Sequence, residues 1–230
     1  MNLQGKTVLV VGGTGVLGIN LAYQLATAGA RVIATARDLS RADQLNQYGS
    51  VVQLDLENPE SIANFAASLQ STKLDGLIVA AGLVAFGPAH ETPATIVNRL
   101  MQVNATAQVQ LINSLMPLLA AGNDLPGAEG SFIVTLSGKV AEIPTAGLAA
   151  YSASKSALHA YSQAAGRELR KSAVRWVDAR PGHTETGLAT RAIFGQAPAF
   201  GAGLEPARVA ARIIAAIVND EKDLPSAAFD

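Results

Sequence analysis

The chain has 230 residues, of which 49% are hydrophobic and 15% charged, with a formal net charge of -1 and no cysteine. This length and composition predict one globular domain with a sizeable buried core. The lack of cysteine excludes disulfides, thiolate metal sites and thiol catalysis, and the three histidines lack ligand spacing, so we predict no metal site. The near-neutral charge gives no reason to expect a nucleic-acid partner.

Apolar runs rich in β-branched residues alternate along the chain with longer segments of helical period. In chain order they are strand Thr7–Val11, helix Val16–Ala28, strand Arg31–Thr35, strand Val51–Leu54, helix Ser61–Leu69 opened by Pro59, strand Leu77–Ala80, helix Ile96–Leu119, strand Phe132–Leu136, helix Ala149–Lys171, strand Val174–Val177 and helix Pro206–Val218. Short links between alternating strands and helices require parallel strands joined by crossover helices. The sequence therefore predicts a single α/β domain over residues 1–230, Rossmann-like and doubly wound, with a mostly parallel sheet and helices on both faces.

Two segments interrupt this alternation. Asn123–Gly130 is rich in turn residues and predicts a surface loop. Thr184–Glu205 is rich in Gly, Ala and Pro and follows a strand end, where α/β sheets bind ligands. We interpret it as a lid over a binding site, and the alternative is a disordered connector. No segment resembles a signal peptide or a membrane span, which predicts a cytoplasmic protein without a membrane partner.

A glycine-rich turn, Gly12–Gly18, joins the first strand to the first helix. Glycine lets a backbone turn sharply and lets a pyrophosphate approach closely, and the helix N-terminus adds free N–H groups and partial positive charge. In this strand–turn–helix context the pattern predicts a dinucleotide site, with a ligand-free tight turn as the alternative. The residues predicted to contact the cofactor here are Gly12, Thr14, Gly15, Val16 and Leu17.

The end of the second strand predicts which dinucleotide is bound. Sites that prefer NAD carry an acidic residue there for the ribose hydroxyls, whereas this chain has Ala36 followed by Arg37. Because a guanidinium pairs well with a 2′-phosphate, we predict NADP(H) over NAD(H). Asp38 becomes the ribose ligand if the register is shifted. Asp55 and Leu56, after the third strand, are predicted to lie by the adenine, although Asp55 could instead cap the next helix.

Tyr151 and Lys155 are four residues apart, on one face of a predicted helix. A free tyrosine has a pKa near about 10 and is a poor acid or base at neutral pH. A neighbouring ammonium group favours the phenolate and brings that pKa toward the working range. The spacing alone is also compatible with an ordinary surface contact between the two side chains.

Taken together, these motifs resemble the short-chain dehydrogenase/reductase family, small single-domain type. The resemblance covers Lys6 to about Val218, and its ordered motifs are the turn Gly12–Gly18, Asp55, Ala80-Ala81-Gly82, Asn104, Ser137, Tyr151 with Lys155, and Pro181-Gly182 with Thr186. It implies an NADP(H)-dependent carbonyl reductase or alcohol dehydrogenase.

The resemblance also implies a role for each catalytic residue. Tyr151 acts as general acid or base, and Lys155 lowers the tyrosine pKa and binds the nicotinamide ribose. Ser137 holds the substrate oxygen, and Asn104 distorts the long helix and holds a proton-relay water. The remaining implied cofactor contacts are Ala81, Gly82, Pro181, Gly182, Thr184 and Thr186.

The chain departs from the family pattern in three places. Val11 and Val16 replace a threonine and a glycine of the usual turn, and Val79-Ala80 stands where asparagines are usual. Counting back from Tyr151 at the usual spacing reaches Gly138, one residue after Ser137. Either an extra loop residue makes Ser137 the catalytic serine, or the serine is absent.

Two functions are therefore carried forward. The first is hydride transfer to or from a small, apolar carbonyl or alcohol, and the alternative is a dinucleotide-binding regulatory or signalling protein with little turnover. The relatives that the resemblance implies are dimers or tetramers, which predicts a homo-oligomer packed through Ile96–Leu119 and Ala149–Lys171.

Overall fold

A computed structural model describes all 230 residues. Six strands form one sheet in the order β3-β2-β1-β4-β5-β6, and every neighbouring pair is parallel. The strands are β1 (Thr7–Val11), β2 (Arg31–Ala36), β3 (Gly49–Gln53), β4 (Gly76–Val79), β5 (Ser131–Leu136) and β6 (Val174–Ala179). This architecture confirms the predicted doubly wound α/β class.

Seven helices cover the sheet. They are α1 (Val16–Thr27), α2 (Pro59–Ser68), α3 (Ala94–Met101), α4 (Ala107–Ala120), α5 (Lys139–Glu142), α6 (Ala149–Glu168) and α7 (Pro206–Val218). None of the helices is both long enough and apolar enough to cross a membrane.

The core consists of two layers, one on each face of the sheet. Successive side chains of a strand point to opposite faces, so Val8 and Val10 pack on one side while Leu9 and Val11 pack on the other. The first layer includes apolar residues of α1 and α7, and the second those of α2 and α4. All five residues of β1 are buried, which explains its continuous rather than alternating apolar pattern.

The predicted long helix over residues 96–119 is one helical run with a defect inside it. Between α3 and α4, Gln102–Thr106 forms a single π-helical turn. Such turns insert an extra residue and are frequent at functional sites. Hydrophobic periodicity does not reveal this turn, because its buried positions continue the apolar face. Elsewhere the structure adds α5, which has no counterpart among the predicted elements. The other differences are at element ends: α6 stops at Glu168, followed by a tight turn over Leu169–Ser172.

The strand order reverses between β1 and β4. Val11 and Val79, the last residues of these strands, are register partners in the sheet. Chains leaving such neighbouring strands move to opposite faces, and the crevice between them is where open α/β sheets bind ligands. The glycine turn after β1 and the Ala80–Gly82 segment after β4 therefore border the same crevice.

Candidate active site

The glycine turn after β1 fits closely against the segment after β4. A Cβ on Gly12, whose φ is +81°, would lie 2.7 Å from the Ala81 backbone nitrogen. A Cβ on Gly18 would lie 2.3 Å from the Gly12 carbonyl oxygen. No side chain fits at either position, so the backbone itself lines the crevice. Gly15 precedes α1 without a side-chain cap, which leaves the first amides of α1 open to an anion.

Polar side chains gather at the far end of this crevice, beyond β2 and β3. The Arg37 side chain is 62% exposed, and its Nη1 lies 3.4 Å from the Glu57 carboxylate. Arg99 of α3 holds the same carboxylate with two hydrogen bonds, at 2.5 and 3.0 Å. These bonds lower the pKa of Glu57 below its ordinary value. Arg41 also lines the crevice, so this end carries three guanidinium groups, two of which contact Glu57.

The two acidic candidates near this end are held in local turns. Asp38 accepts hydrogen bonds from the Ser40 amide at 3.0 Å and hydroxyl at 2.7 Å. These contacts lower the Asp38 pKa and use one carboxylate oxygen. Asp55 accepts from the Glu57 amide at 2.9 Å, and the helix cap that could have been its alternative role belongs to Asn58.

Asn104 lies in the π-helical turn and is fully buried. Its side-chain oxygen accepts from the Leu83 amide at 2.8 Å, and its nitrogen donates to the Leu83 carbonyl at 2.9 Å. The same nitrogen donates to the Ser154 hydroxyl on α6 at 3.0 Å. Asn104 therefore ties the strand-end segment after β4 to the helix that carries Tyr151 and Lys155.

A side chain just after the π-helical turn bonds the segment after β4, where the asparagines usual in the family are absent. The Gln108 amide donates to the Ala81 and Val103 carbonyls, both at 3.1 Å. A glutamine at the second position of α4 thus supplies a bond to this segment.

Tyr151 and Lys155 are one turn apart near the start of α6, and both line the crevice. The Lys155 ammonium donates to the Leu136 carbonyl at the end of β5, at 2.7 Å. Burial raises the pKa of Tyr151 to about 12 and lowers the pKa of Lys155 to about 8. The nearby Asp178 carboxylate partly opposes the effect of burial on Lys155.

Ser137 also borders the crevice, but its hydroxyl is bonded to a carboxylate of the sheet. Its hydroxyl is fully buried and donates to the Asp178 carboxylate at 2.5 Å. The next residue, Gly138, has φ +74° and ψ 165°, a backbone conformation that is essentially restricted to glycine. The amides of Gly138 and Lys139 donate to the carbonyls of Ala179 and Pro181.

The segment after β6 closes the other end of the crevice. Thr184 donates to the Gly182 carbonyl at 3.0 Å, and the Thr186 amide donates to the Thr184 carbonyl at 2.7 Å. Farther along, the Ile193 amide bonds to the Val84 carbonyl, and Phe200 stacks on His183 with 4.5 Å between ring centroids. Residues 184–205 thus form a folded cover attached across the crevice, and not an unattached connector.

A sequence model described as short chain dehydrogenase matches residues 6–194. The chain belongs to the short chain dehydrogenase family. This confirms the resemblance noted in the sequence and makes the protein an oxidoreductase of the class that interconverts alcohols and carbonyls with NAD(P).

Several known proteins are similar to this short chain dehydrogenase over most of its length. A Drosophila melanogaster protein named dehydrogenase/reductase SDR family protein 7-like is 30% identical over 96% of this chain and 72% of its own. A Burkholderia cenocepacia short chain dehydrogenase solved with NADP is 22% identical, has a TM-score of 0.85 and covers 98% of this chain and 90% of its own. A Brucella melitensis 3-ketoacyl-(acyl-carrier-protein) reductase solved with NADH has a TM-score of 0.84 at 23% identity, covering 97% of both chains. At these identities the two solved structures show the fold.

In this short chain dehydrogenase, one crevice of about 870 Å³ collects nearly all of the residues that the sequence singled out. Its lining includes Gly12, Thr14, Gly15, Val16, Leu17, Arg37, Asp55, Leu56, Ala81, Gly82, Ser137, Tyr151, Lys155, Pro181, Gly182, Thr184 and Thr186. Asn104 lies behind this lining, where it bonds Leu83.

Sequence reasoning missed three charged residues near the site. Asp178 stands inside an otherwise apolar strand, a placement that marks a carboxylate with buried partners. Glu57 and Arg99 are distant in sequence, and no local pattern predicts their pairing across the crevice.

Proposed function

We propose that this short chain dehydrogenase transfers a hydride between NADP(H) and a small carbonyl or alcohol, with Tyr151 as the general acid or base. The observation that carries the proposal is the placement of Tyr151 and Lys155 on one turn of α6, both facing the crevice whose other end is the glycine turn. The Lys155 contact with the Leu136 carbonyl holds the ammonium at the sheet end.

The residues present fit a dinucleotide. Gly12 and Gly18 let the turn pack against neighbouring backbone where a Cβ would clash, and the uncapped start of α1 offers amides to a pyrophosphate. Gly12, Thr14, Gly15, Val16 and Leu17 would hold the pyrophosphate, while Pro181, Gly182, Thr184 and Thr186 would bracket the nicotinamide. Ala81, Gly82, Asp55 and Leu56 would line the adenosine side. The bound nicotinamide supplies or accepts the hydride.

The proton that accompanies the hydride is transferred by side chains of the protein. In reduction Tyr151 donates its hydroxyl proton to the carbonyl oxygen, and in oxidation its phenolate removes the alcohol proton. Burial alone holds the Tyr151 pKa at about 12, which is unfavourable for phenolate formation near neutral pH. A positive charge on Lys155 opposes this effect, so the protonated state of Lys155 matters to the reaction.

Apolar side chains surround the space next to Tyr151. They include Val84, Phe86, Leu148, Leu188, Ile193 and Phe200. Such a wall favours a substrate with an apolar body around its reacting carbonyl. The test is NADPH oxidation with a series of apolar ketones and aldehydes, and no turnover of any of them with NADPH bound would contradict the proposal.

NADP(H) preference is proposed from the guanidinium groups around Glu57. We expect Arg37→Ala to weaken NADPH binding at least tenfold, about 1.4 kcal/mol, because a 2′-phosphate loses a charged partner. NADH binding should change by less than threefold. Fluorescence titration of both variants with both cofactors measures this, and Arg31→Ala, at the exposed start of β2, is the matched control. An equal loss for both cofactors would contradict the 2′-phosphate role.

A dinucleotide-binding regulator without turnover is the second candidate. The Ser137 hydroxyl favours it, because its hydrogen bond to Asp178 removes one expected donor from the substrate oxygen. Turnover decides between the two functions.

We also propose a homo-oligomer that packs through the helical segments Ile96–Leu119 and Ala149–Lys171, in line with family relatives. Light scattering tests it, and a mass of 23.6 kDa, that of one chain, would contradict it.

A further inference from the structure

Three polar side chains contact one buried carboxylate, that of Asp178. Asp178, at the end of β6, has a side chain that is only 5% exposed. It accepts hydrogen bonds from Thr135 at 2.7 Å and Ser137 at 2.5 Å, and His159 Nδ1 lies 2.7 Å from it. These three contacts fix the orientation of the buried carboxylate at the end of β6.

The donors surround the residue that holds Lys155. Thr135 and Ser137 flank Leu136, whose carbonyl accepts the Lys155 ammonium at 2.7 Å. On α6, Lys155 and His159 are four residues apart and therefore share a face, and His159 reaches the carboxylate directly. Asp178 thus touches both neighbours of the residue that anchors Lys155.

The charged groups around Asp178 leave its negative charge available to Lys155. His159 contacts Asp178 through Nδ1 at 2.7 Å, and its Nε2 lies 2.9 Å from the Gln163 side-chain nitrogen. Arg180 lies 3.5 Å from Asp178 but is bound by the carboxylates of Glu142 and Asp223 as well. The Asp178 charge also raises the pKa of Lys155, whose ammonium is held at the Leu136 carbonyl, between the two strand residues that bond Asp178.

We propose that Asp178 is a positioning residue that keeps Lys155 protonated, and that Ser137 acts as a ligand of this carboxylate instead of holding the substrate oxygen. The inference deepens the proposed function and rests on it for its catalytic consequence. Gly138 supports the second half, because its glycine-only backbone stands where the usual spacing to Tyr151 places a serine.

The sign of the effect follows from the burial of Lys155. Burial brings the Lys155 pKa down to about 8, and the Asp178 charge raises it against that trend. Lys155 loses its proton as the pH rises through its pKa, and Tyr151 then loses its cationic neighbour. Without Asp178 this loss begins at a lower pH, so activity on the alkaline side should fall earlier.

The first test does not depend on turnover. In protein labelled with [ε-¹³C]lysine, an NMR titration gives the Lys155 pKa, with the signal assigned by its absence in Lys155→Arg. We expect Asp178→Asn to lower this pKa by about one unit. Asp75→Asn is the control, since Asp75 is a buried carboxylate that pairs with Lys6 and Lys73 instead. An unchanged Lys155 pKa in Asp178→Asn would overturn the inference. If the Asp178→Asn variant does not fold, Asp178→Thr removes the same charge with a residue suited to a strand.

The second test is the pH profile of kcat/KM. In Asp178→Asn we expect the alkaline limb to move down by about one pH unit. In Ser137→Ala we expect less than a tenfold loss together with a Tm lowered by a few degrees. If Ser137→Ala loses more than about a hundredfold in kcat/KM at every pH while Tm and NADPH binding stay intact, Ser137 holds the substrate oxygen. That result would overturn the part of the inference that concerns Ser137. Absence of turnover in the unaltered protein would contradict the proposed function, while the NMR result would still decide the role of Asp178.

Discussion

Tyr151→Phe is expected to lower kcat by about a thousandfold or more while leaving the affinity for NADPH within threefold. The substitution removes one hydroxyl, which in the proposed reaction is the group that exchanges a proton with the substrate oxygen. No side chain or backbone group accepts or donates a hydrogen bond at this hydroxyl, so folding should not suffer. Loss of NADPH absorbance with an apolar ketone, and a fluorescence titration of NADPH, measure the two quantities.

The matched control for this substitution is Tyr161→Phe on the same helix. The Tyr161 hydroxyl donates to Asn113 at 2.8 Å, far along α6 from the crevice. We expect it to keep kcat within a factor of about two. Equal turnover by Tyr151→Phe and the unaltered protein would remove Tyr151 from the reaction, and equal losses in both variants would point to a general effect on α6.

Asn104→Ala is expected to lower the free energy of unfolding by about 2–4 kcal/mol, because it empties a fully buried side-chain position and leaves both part-buried backbone groups of Leu83 without their partner. The same change should lower kcat, since Asn104 links the Leu83 segment to Ser154 on the helix of Tyr151 and Lys155. Urea unfolding and NADPH oxidation measure the two effects.

Asn113→Ala on α4 serves as the control for Asn104, because Asn113 is exposed and lies outside the π-helical turn. It should change stability by less than about 0.5 kcal/mol. A stability loss in Asn104→Ala no greater than in this control would mean that the Leu83 bonds contribute nothing to the fold.

Local patterns were sufficient for the strands, most helices and the class of fold. The apolar runs such as Thr7–Val11 and the turn at Gly12–Gly18 are short-range features, and parallel pairing follows from the alternation of strands and helices. The Tyr151–Lys155 spacing is also local, because a helix places residues four apart on one face. The family is therefore readable from the sequence.

The resemblance implied that Asn104 distorts the long helix. The sequence pattern itself did not locate the π-helical turn over Gln102–Thr106, and the Asn104 side chain bonds Leu83 and Ser154, which are distant in the chain. Nor did the sequence pattern show the α5 turn, which is four residues long. Short elements held by contacts distant in sequence leave no periodic signal.

The sequence by itself determined the α/β class, the glycine turn and the spacing of Tyr151 and Lys155, because each depends on residues close together in the chain. Only the tertiary structure decided the partner of Ser137. Spacing left open whether Ser137 is the catalytic serine or the serine is absent, and in the structure the Ser137 hydroxyl donates a hydrogen bond to Asp178 on the neighbouring strand. Pairings of that kind form when two strands meet side by side, and no pattern within either strand records which side chains face each other.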